Sequence, residues 1–192
     1  MNIILIGYRA SGKTSAGREL ARILDRPFFD TDRMVFAKTG RTVREIVKAS
    51  GWQAFREVEK TVISELSGLD EAVIAAGGGA VMDPDNVSML RAGGRFVWLQ
   101  ADARILALRM SRDRNGALQR PSLTGAGTLM EVEEVLAKRL PVYGAVADVV
   151  VATAGKDPAG IAAEIAGRLE DDLMDADRKR NKKRKRRRPH VR

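Results

Sequence analysis

The stretch Gly7-Tyr8-Arg9-Ala10-Ser11-Gly12-Lys13-Thr14 sets two glycines, a lysine and a hydroxyl residue at the spacing G-x-x-x-x-G-K-[ST]. These residue types at these offsets suit the holding of phosphate. Glycines let backbone N–H groups converge on an anion, a lysine bridges terminal phosphates, and a threonine hydroxyl ligates Mg²⁺. The apolar run before the loop reads as a strand and the periodic segment after it as a helix, so the anion would also face a helix N-terminus. The plain alternative is a glycine turn followed by an exposed lysine. On the first reading the nucleotide side comprises Gly7, Arg9, Ala10, Ser11, Gly12, Lys13, Thr14 and Ser15. Arg9 either touches phosphate or points to solvent.

Three further stretches carry polar or glycine-rich chemistry. In "FFDTD", Asp30 and Asp32 close an apolar run, one available to a metal and the other to a substrate; the alternative is an N-cap pair for the following helix. In "AAGGGAV", Gly77, Gly78 and Gly79 lack side chains and permit positive φ, which lets backbone N–H groups approach a ligand, although a flexible turn reads the same way. In "WQAFREVEK", Arg56 and Glu59 lie at i, i+3 on one helix face, by default a surface ion pair.

The elements that must position these groups alternate. Strands are expected at Asn2–Gly7, Pro27–Asp30, Ala72–Ala76, Gly94–Leu99 and Asp148–Ala152. Helices are expected at Gly12–Asp25, Arg33–Lys38, Val43–Ala49, Gly51–Leu66, Pro84–Ala92, Ala103–Arg112, Met130–Arg139 and Pro158–Met174. Most strands are apolar on consecutive residues, as in a parallel sheet covered on both faces, and ligands of such sheets collect beyond the carboxyl ends of the strands. The expected fold is therefore a three-layer α/β/α domain with a five-stranded parallel sheet. Ser111–Thr128 breaks the pattern with four glycines or prolines, three arginines and little periodicity, which reads as a lid or binding loop.

With 192 residues the chain suits one domain, set at 1–174, with a lid at about 112–128 and a basic tail at 175–192. The absence of cysteine excludes disulfides, thiolate metal sites and cysteine nucleophiles, and fits a reducing, cytoplasmic compartment. The N-terminal apolar run is too short for a membrane span and lacks a signal peptide's basic flank, so no membrane association is expected. The formal charge of +9 is concentrated at one end: 11 of the 34 Lys/Arg lie in Arg178–Arg192, leaving 23 basic against 25 acidic residues elsewhere. A nucleic-acid reading of the charge thus concerns the tail alone. That block should repel itself and stay disordered, either as a neutral extension or as a nonspecific contact for nucleic acid or another polyanion.

Taken in order, "GYRASGKT", "FFDTD", "FREVE", "AAGGGAV", "RPSLTG" and "AKRLPVY" resemble the shikimate kinases, over Asn2 to about Leu169, with a lid of the Arg-Pro-x-Leu-Thr-Gly form. The resemblance implies a P-loop kinase with a mobile lid that passes the γ-phosphate of ATP, with Mg²⁺, to the 3-hydroxyl of shikimate. It places Lys13 on the β/γ-phosphates, Thr14 on the metal and Asp30 in the metal's water shell. It assigns Asp32 to the ring hydroxyls, Arg56 and Arg139 to the carboxylate, Gly77, Gly78 and Gly79 to backbone contacts, and Glu59 to the orientation of Arg56. Arg120 would descend with the lid onto the transferring phosphate, and Arg109 or Arg112 would stack on adenine. Lys13, Asp32 and Arg120 form the catalytic set. The chain is expected to be a monomer. The competing functions are another small-molecule kinase on the same scaffold, such as a gluconate kinase, and a non-enzymatic polyanion-binding protein acting through its tail.

Overall fold

The computed structural model describes residues 1–113 and 128–171; the tail, Arg120 and nearly all of the expected lid lie outside them. Five strands, β1 (Asn2–Ile6), β2 (Phe28–Asp30), β3 (Val73–Ala75), β4 (Gly94–Gln100) and β5 (Val149–Ala152), form one parallel sheet in the order β2-β3-β1-β4-β5. All five residues of β1, at the centre, are buried. Strand side chains alternate between faces, so each face of β1 needs its own cover. Ile3 and Leu5 pack with Ala16 and Leu20 of α1 (Lys13–Leu24) and with Ile161 and Ile165 of a final helix, α7, at 158–171. Ile4 and Ile6 pack on the other face with α3 (Val43–Ser67), α4 (Pro84–Gly93), α5 (Ala103–Arg112) and α6 (Thr128–Val146). The result is the expected three layers.

The expected strands are all present, four of them shortened by one or two residues and β4 extended by one, to Gln100. Helix α2 (Thr31–Thr39) begins two residues earlier than expected, because the Asp30 side chain accepts from the N–H groups of Asp32 and Arg33 and so starts the helix at Thr31. The helices expected at Val43–Ala49 and Gly51–Leu66 form one element, α3, kinked at Gly51 (φ 81°, ψ 174°), a conformation open to glycine. A capping box of Thr42 and Glu45 starts it. Helix α6 runs seven residues beyond Arg139 and carries Pro141 inside it. A short 3₁₀ turn, Ala80–Met82, follows the triple glycine.

Three of the motifs singled out in the sequence follow a strand's carboxyl end: the phosphate loop after β1, Asp30 and Asp32 at the end of β2, and the glycines after β3, whereas Arg56 with Glu59 lies on α3 and Arg139 on α6. In the sheet order these strands are neighbours, so connectivity alone brings the three motifs together. Among the described residues, no helix is long and apolar enough to cross a membrane.

Candidate active site

The phosphate loop takes its shape from residues at positive φ. Gly7 stands at φ 136°, and a Cβ there would lie 2.6 Å from the Leu99 carbonyl oxygen. Gly12, at φ 96°, is the N-cap of α1. Ala10 also lies in the left-handed region, at φ 61°, where an L side chain costs about 1–2 kcal/mol. The loop wraps the Lys13 side chain: its Nζ donates to the carbonyls of Gly7 and Tyr8, both at 2.8 Å, and to Ser11 Oγ at 3.4 Å. Thr14 Oγ1 donates to Asp30 Oδ2 at 2.7 Å. The two readings of Asp30 thus coexist, with Oδ1 capping α2 and Oδ2 facing Thr14. This pair of oxygen donors fits a hard cation that takes its remaining ligands from phosphate and water. Among the described residues no group of three or more His, Cys, Asp or Glu forms a cage for a metal.

Two cavities meet beside the loop. The larger, about 490 Å³, is lined by Lys13, Thr14, Asp30 and Asp32, with Arg33 and Phe36 of α2 on its far side. The smaller, about 50 Å³, is lined by Asp32, Arg56, Glu59, Arg139 and Gly77 to Gly79. Asp32 and Gly77 line both. A carboxylate at that junction could reach molecules held in either cavity.

The smaller cavity concentrates charged side chains. Glu59 is 1 % exposed and pairs with Arg56, whose guanidinium lies 5.1 Å from the Phe55 ring centroid and 5.7 Å from that of Trp52. Burial pushes the Glu59 carboxyl above its ordinary value, against the pull of Arg56 and Arg139. Its Oε1 has no hydrogen-bond partner among the described residues. Arg139 donates to the Gly78 carbonyl at 3.0 Å and has no carboxylate within ion-pair distance among the described residues. Tyr143, one helical turn further along α6, donates to the same carbonyl, and burial pushes its hydroxyl up to about 12, so it remains a donor at neutral pH. Three guanidinium groups, of Arg9, Arg56 and Arg139, therefore reach one small space, and among the described residues the first two carry a paired carboxylate.

A family model described as shikimate kinase matches residues 9–170. A shikimate kinase of Syntrophus aciditrophicus is 43% identical over 177 residues, covering 88% of this chain and 91% of that protein. Another, of Symbiobacterium thermophilum, is 41% identical and covers 89% and 97%. The chain belongs to the shikimate kinase family. Among solved structures, the shikimate kinase of Acinetobacter baumannii in complex with shikimate superposes with a TM-score of 0.83 at 32% identity, covering 89% of this chain and 93% of that one. A gluconokinase of Sinorhizobium meliloti matches at 0.53 and 20% identity, a likeness of fold alone. As in the family, ATP is the co-substrate.

Within this shikimate kinase fold several sequence expectations take a different form. None of Gly77, Gly78 and Gly79 has positive φ. What they supply is space. A Cβ at Gly77 would lie 2.5 Å from Glu59 Oε1, one at Gly78 3.3 Å from the Gly7 carbonyl, and one at Gly79 2.3 Å from Arg56 Nη2. The Gly77 N–H is engaged by Thr31 Oγ1 at 2.8 Å instead of facing the cavity. Arg9 points neither to solvent nor into the phosphate cavity: it pairs with Glu131 on α6, with 17% and 3% of the two side chains exposed, and lines the acceptor cavity. The pull of a buried carboxylate explains the turn. The Arg56–Glu59 pair, a surface pair by default, is half-buried at Arg56 and fully buried at Glu59.

Arg109 bridges the Ala10 carbonyl at 3.3 Å and Thr153, at 3.0 Å to Oγ1 and 2.8 Å to the carbonyl, which joins α5 to the phosphate loop and to the end of β5. Arg112 and Ser15 are exposed. Sequence reasoning missed Thr31, Glu131 and Tyr143. For two of these a signal existed: Glu131, Arg139 and Tyr143 recur in steps of eight and four along α6, which sets them on one face.

Proposed function

We propose that this chain transfers the γ-phosphoryl group of ATP to the 3-hydroxyl of shikimate, giving shikimate 3-phosphate and ADP, a step toward chorismate. The observation that carries this reading is the convergence of Arg56, Arg139 and Asp32 in one small cavity open to the phosphate loop. Shikimate brings one carboxylate and a set of ring hydroxyls. Guanidinium groups suit the former through paired charge-assisted hydrogen bonds, and a carboxylate suits the latter.

Mg²⁺ would supply charge neutralisation on the transferring phosphates when bound, with Thr14 as ligand and Asp30 behind it. Lys13 exchanges its bonds to the Gly7 and Tyr8 carbonyls for the β/γ-phosphate oxygens. Arg139 and Arg56 bind the acceptor carboxylate, and Glu59 holds Arg56 in place. With that end fixed, Asp32 orients the reacting hydroxyl and accepts its proton as the bond to phosphorus forms. Phosphoryl transfer asks the protein mainly for alignment and charge neutralisation, and this set meets both demands. Arg120, expected from the resemblance to complete the charge set as part of the lid at 112–128, lies outside the described residues. Arg109, tied to the phosphate loop and to Thr153, is better placed for adenine than the exposed Arg112.

The domain is taken as residues 1–174. The chain is taken as a monomer, and the absence of cysteine supports a cytoplasmic setting. The tail's eleven basic residues leave two readings, a neutral extension and a nonspecific contact with polyanions, which a truncation separates. Truncation after Asp177 would leave kinase activity intact and, on the second reading, abolish salt-sensitive polyanion binding.

The test is ADP release by the full chain with ATP and Mg²⁺ in the presence of shikimate, gluconate or neither. Release dependent on shikimate supports the reading. Release dependent on gluconate alone overturns the acceptor assignment of Asp32, Arg56 and Arg139 while sparing that of the phosphate loop.

A further inference from the structure

Tyr8 is the first variable residue of the phosphate loop, yet its side chain does not face the phosphate cavity. It is 1 % exposed and packs in the core cluster between the sheet and helices α3 and α6. Its hydroxyl has no hydrogen-bond partner among the described residues. A buried tyrosine hydroxyl left unpaired is unfavourable, so the residue is not explained by its polar atom. The ring has clearer contacts. The Arg139 guanidinium carbon stands 5.6 Å from its centroid and that of Arg9 5.8 Å. The main chain of the same residue faces the other substrate, because its carbonyl accepts from Lys13 Nζ at 2.8 Å.

Arg139 needs such support. Its guanidinium meets the Gly78 carbonyl, the Tyr143 hydroxyl and this ring, and among the described residues no carboxylate fixes it in the way that Glu59 fixes Arg56. Contacts to one carbonyl and one hydroxyl hold a guanidinium less firmly than a paired carboxylate does, whereas an aromatic face restricts its plane.

We propose that Tyr8 is a positioning residue for the acceptor: its ring carries Arg139, while its carbonyl holds Lys13 until ATP binds, so that the carboxylate-binding arginine and the phosphate-binding lysine start from one support. This rests on Arg139 as a ligand of the acceptor carboxylate. The hydroxyl takes no part, and phenylalanine should serve as well.

The test compares the full-length chain with Tyr8→Phe, Tyr8→Leu, Arg139→Ala and the double variant Tyr8→Leu/Arg139→Ala, measuring KM for shikimate and for ATP separately. Tyr8→Phe should match the wild type. Tyr8→Leu should raise the KM for shikimate about 5- to 30-fold, the range of a desolvated cation–π contact, with the KM for ATP held within about twofold because the carbonyl is retained. In the Arg139→Ala background the same change should add nothing further. Phenylalanine and its mono-, di- and trifluorinated analogues at position 8 keep the shape of the ring while weakening its negative face, and should raise the KM for shikimate in steps. This series decides the matter alone if Tyr8→Leu fails to fold. A flat series, or a Tyr8→Leu effect undiminished in the Arg139→Ala background, overturns the proposal. An unchanged KM for shikimate in Arg139→Ala itself overturns the role of Arg139 and this inference together, while a raised one with a flat fluorine series overturns this inference only.

Discussion

Replacement of Gly79 by alanine tests the acceptor cavity at one atom. Gly79 stands at φ −110°, ψ −2°, which any L residue adopts, so the main chain has no reason to distort. The new Cβ would lie 2.3 Å from Arg56 Nη2 and 3.0 and 3.1 Å from its Cζ and Nη1. The guanidinium is the flexible partner and must retreat by about 1 Å to reach ordinary contact, a displacement that in a reactant-aligning site costs on the order of 100-fold. Retreat is opposed by buried Glu59 and by the Phe55 ring. It breaks the charge-assisted hydrogen bond from Arg56 to the acceptor carboxylate, worth about 1.5–3 kcal/mol. The KM for shikimate should therefore rise by about 10- to 150-fold. Stability should hold, because alanine in place of glycine restricts the unfolded chain and contributes about 0.4–1 kcal/mol in favour of the fold. The assay is coupled ADP release with each substrate varied in turn, beside a thermal melt and an Arg56→Ala benchmark. An unchanged KM for shikimate at an unchanged Tm would refute the placement of Arg56. A rise in both KM values with a large loss of Tm would refute the claim that the main chain tolerates alanine there.

Asp30→Asn keeps an oxygen to cap α2 but weakens the charge behind Thr14, so the Mg²⁺ requirement should rise about tenfold or more with little change in Tm; a Mg²⁺ titration of ADP release checks this. Burial holds the Glu59 carboxyl above its ordinary value of 4.5, which means that the folded chain keeps a proton that the unfolded chain gives up. The stability of the wild type relative to Glu59→Gln should thus be greatest below 4.5 and fall as the pH rises through the raised value, as denaturant melts across pH will report. Over the same window, but with falling pH, protonated Glu59 releases Arg56 and the KM for shikimate should climb toward that of Glu59→Gln. Glu131→Gln removes the charge from the Arg9–Glu131 pair and should destabilise the fold by about 3 kcal/mol, the lower end for a buried pair because Arg9 is partly exposed. An Arg9→Met/Glu131→Leu double variant should recover most of that loss in denaturant unfolding.

The strands and the motif at each strand end were legible because the sheet is parallel and covered on both faces: Ile3 to Ile6 read as one apolar run since each residue meets a helix on its own side. Boundaries failed where a side chain overrode local propensity. Asp30 begins α2 early through its cap, and α6 continues past Pro141 to place Tyr143 under Gly78. Of the site, the residues on short spacings could be read, Lys13 with Thr14 or Arg56 with Glu59. Those paired at a distance could not: Arg9 and Glu131 are 122 positions apart, and no local pattern links them.

The triple glycine shows why the motif and its reason are separate questions. Three consecutive glycines are read from sequence as backbone freedom, yet none of the three uses it. Each has a different nearest neighbour at the position of its missing Cβ: Glu59 from α3 at Gly77, the carbonyl of Gly7 from the phosphate loop at Gly78, and Arg56 at Gly79. The glycines are consecutive because the segment after β3 runs between the phosphate loop on one side and α3 on the other, and atoms from both occupy the space that its own Cβ atoms would take. It follows that alanine at these three positions should give three different defects, in the seat of Glu59, in the packing of the phosphate loop and in Arg56. A uniform loss of flexibility, the reading from sequence, would give one.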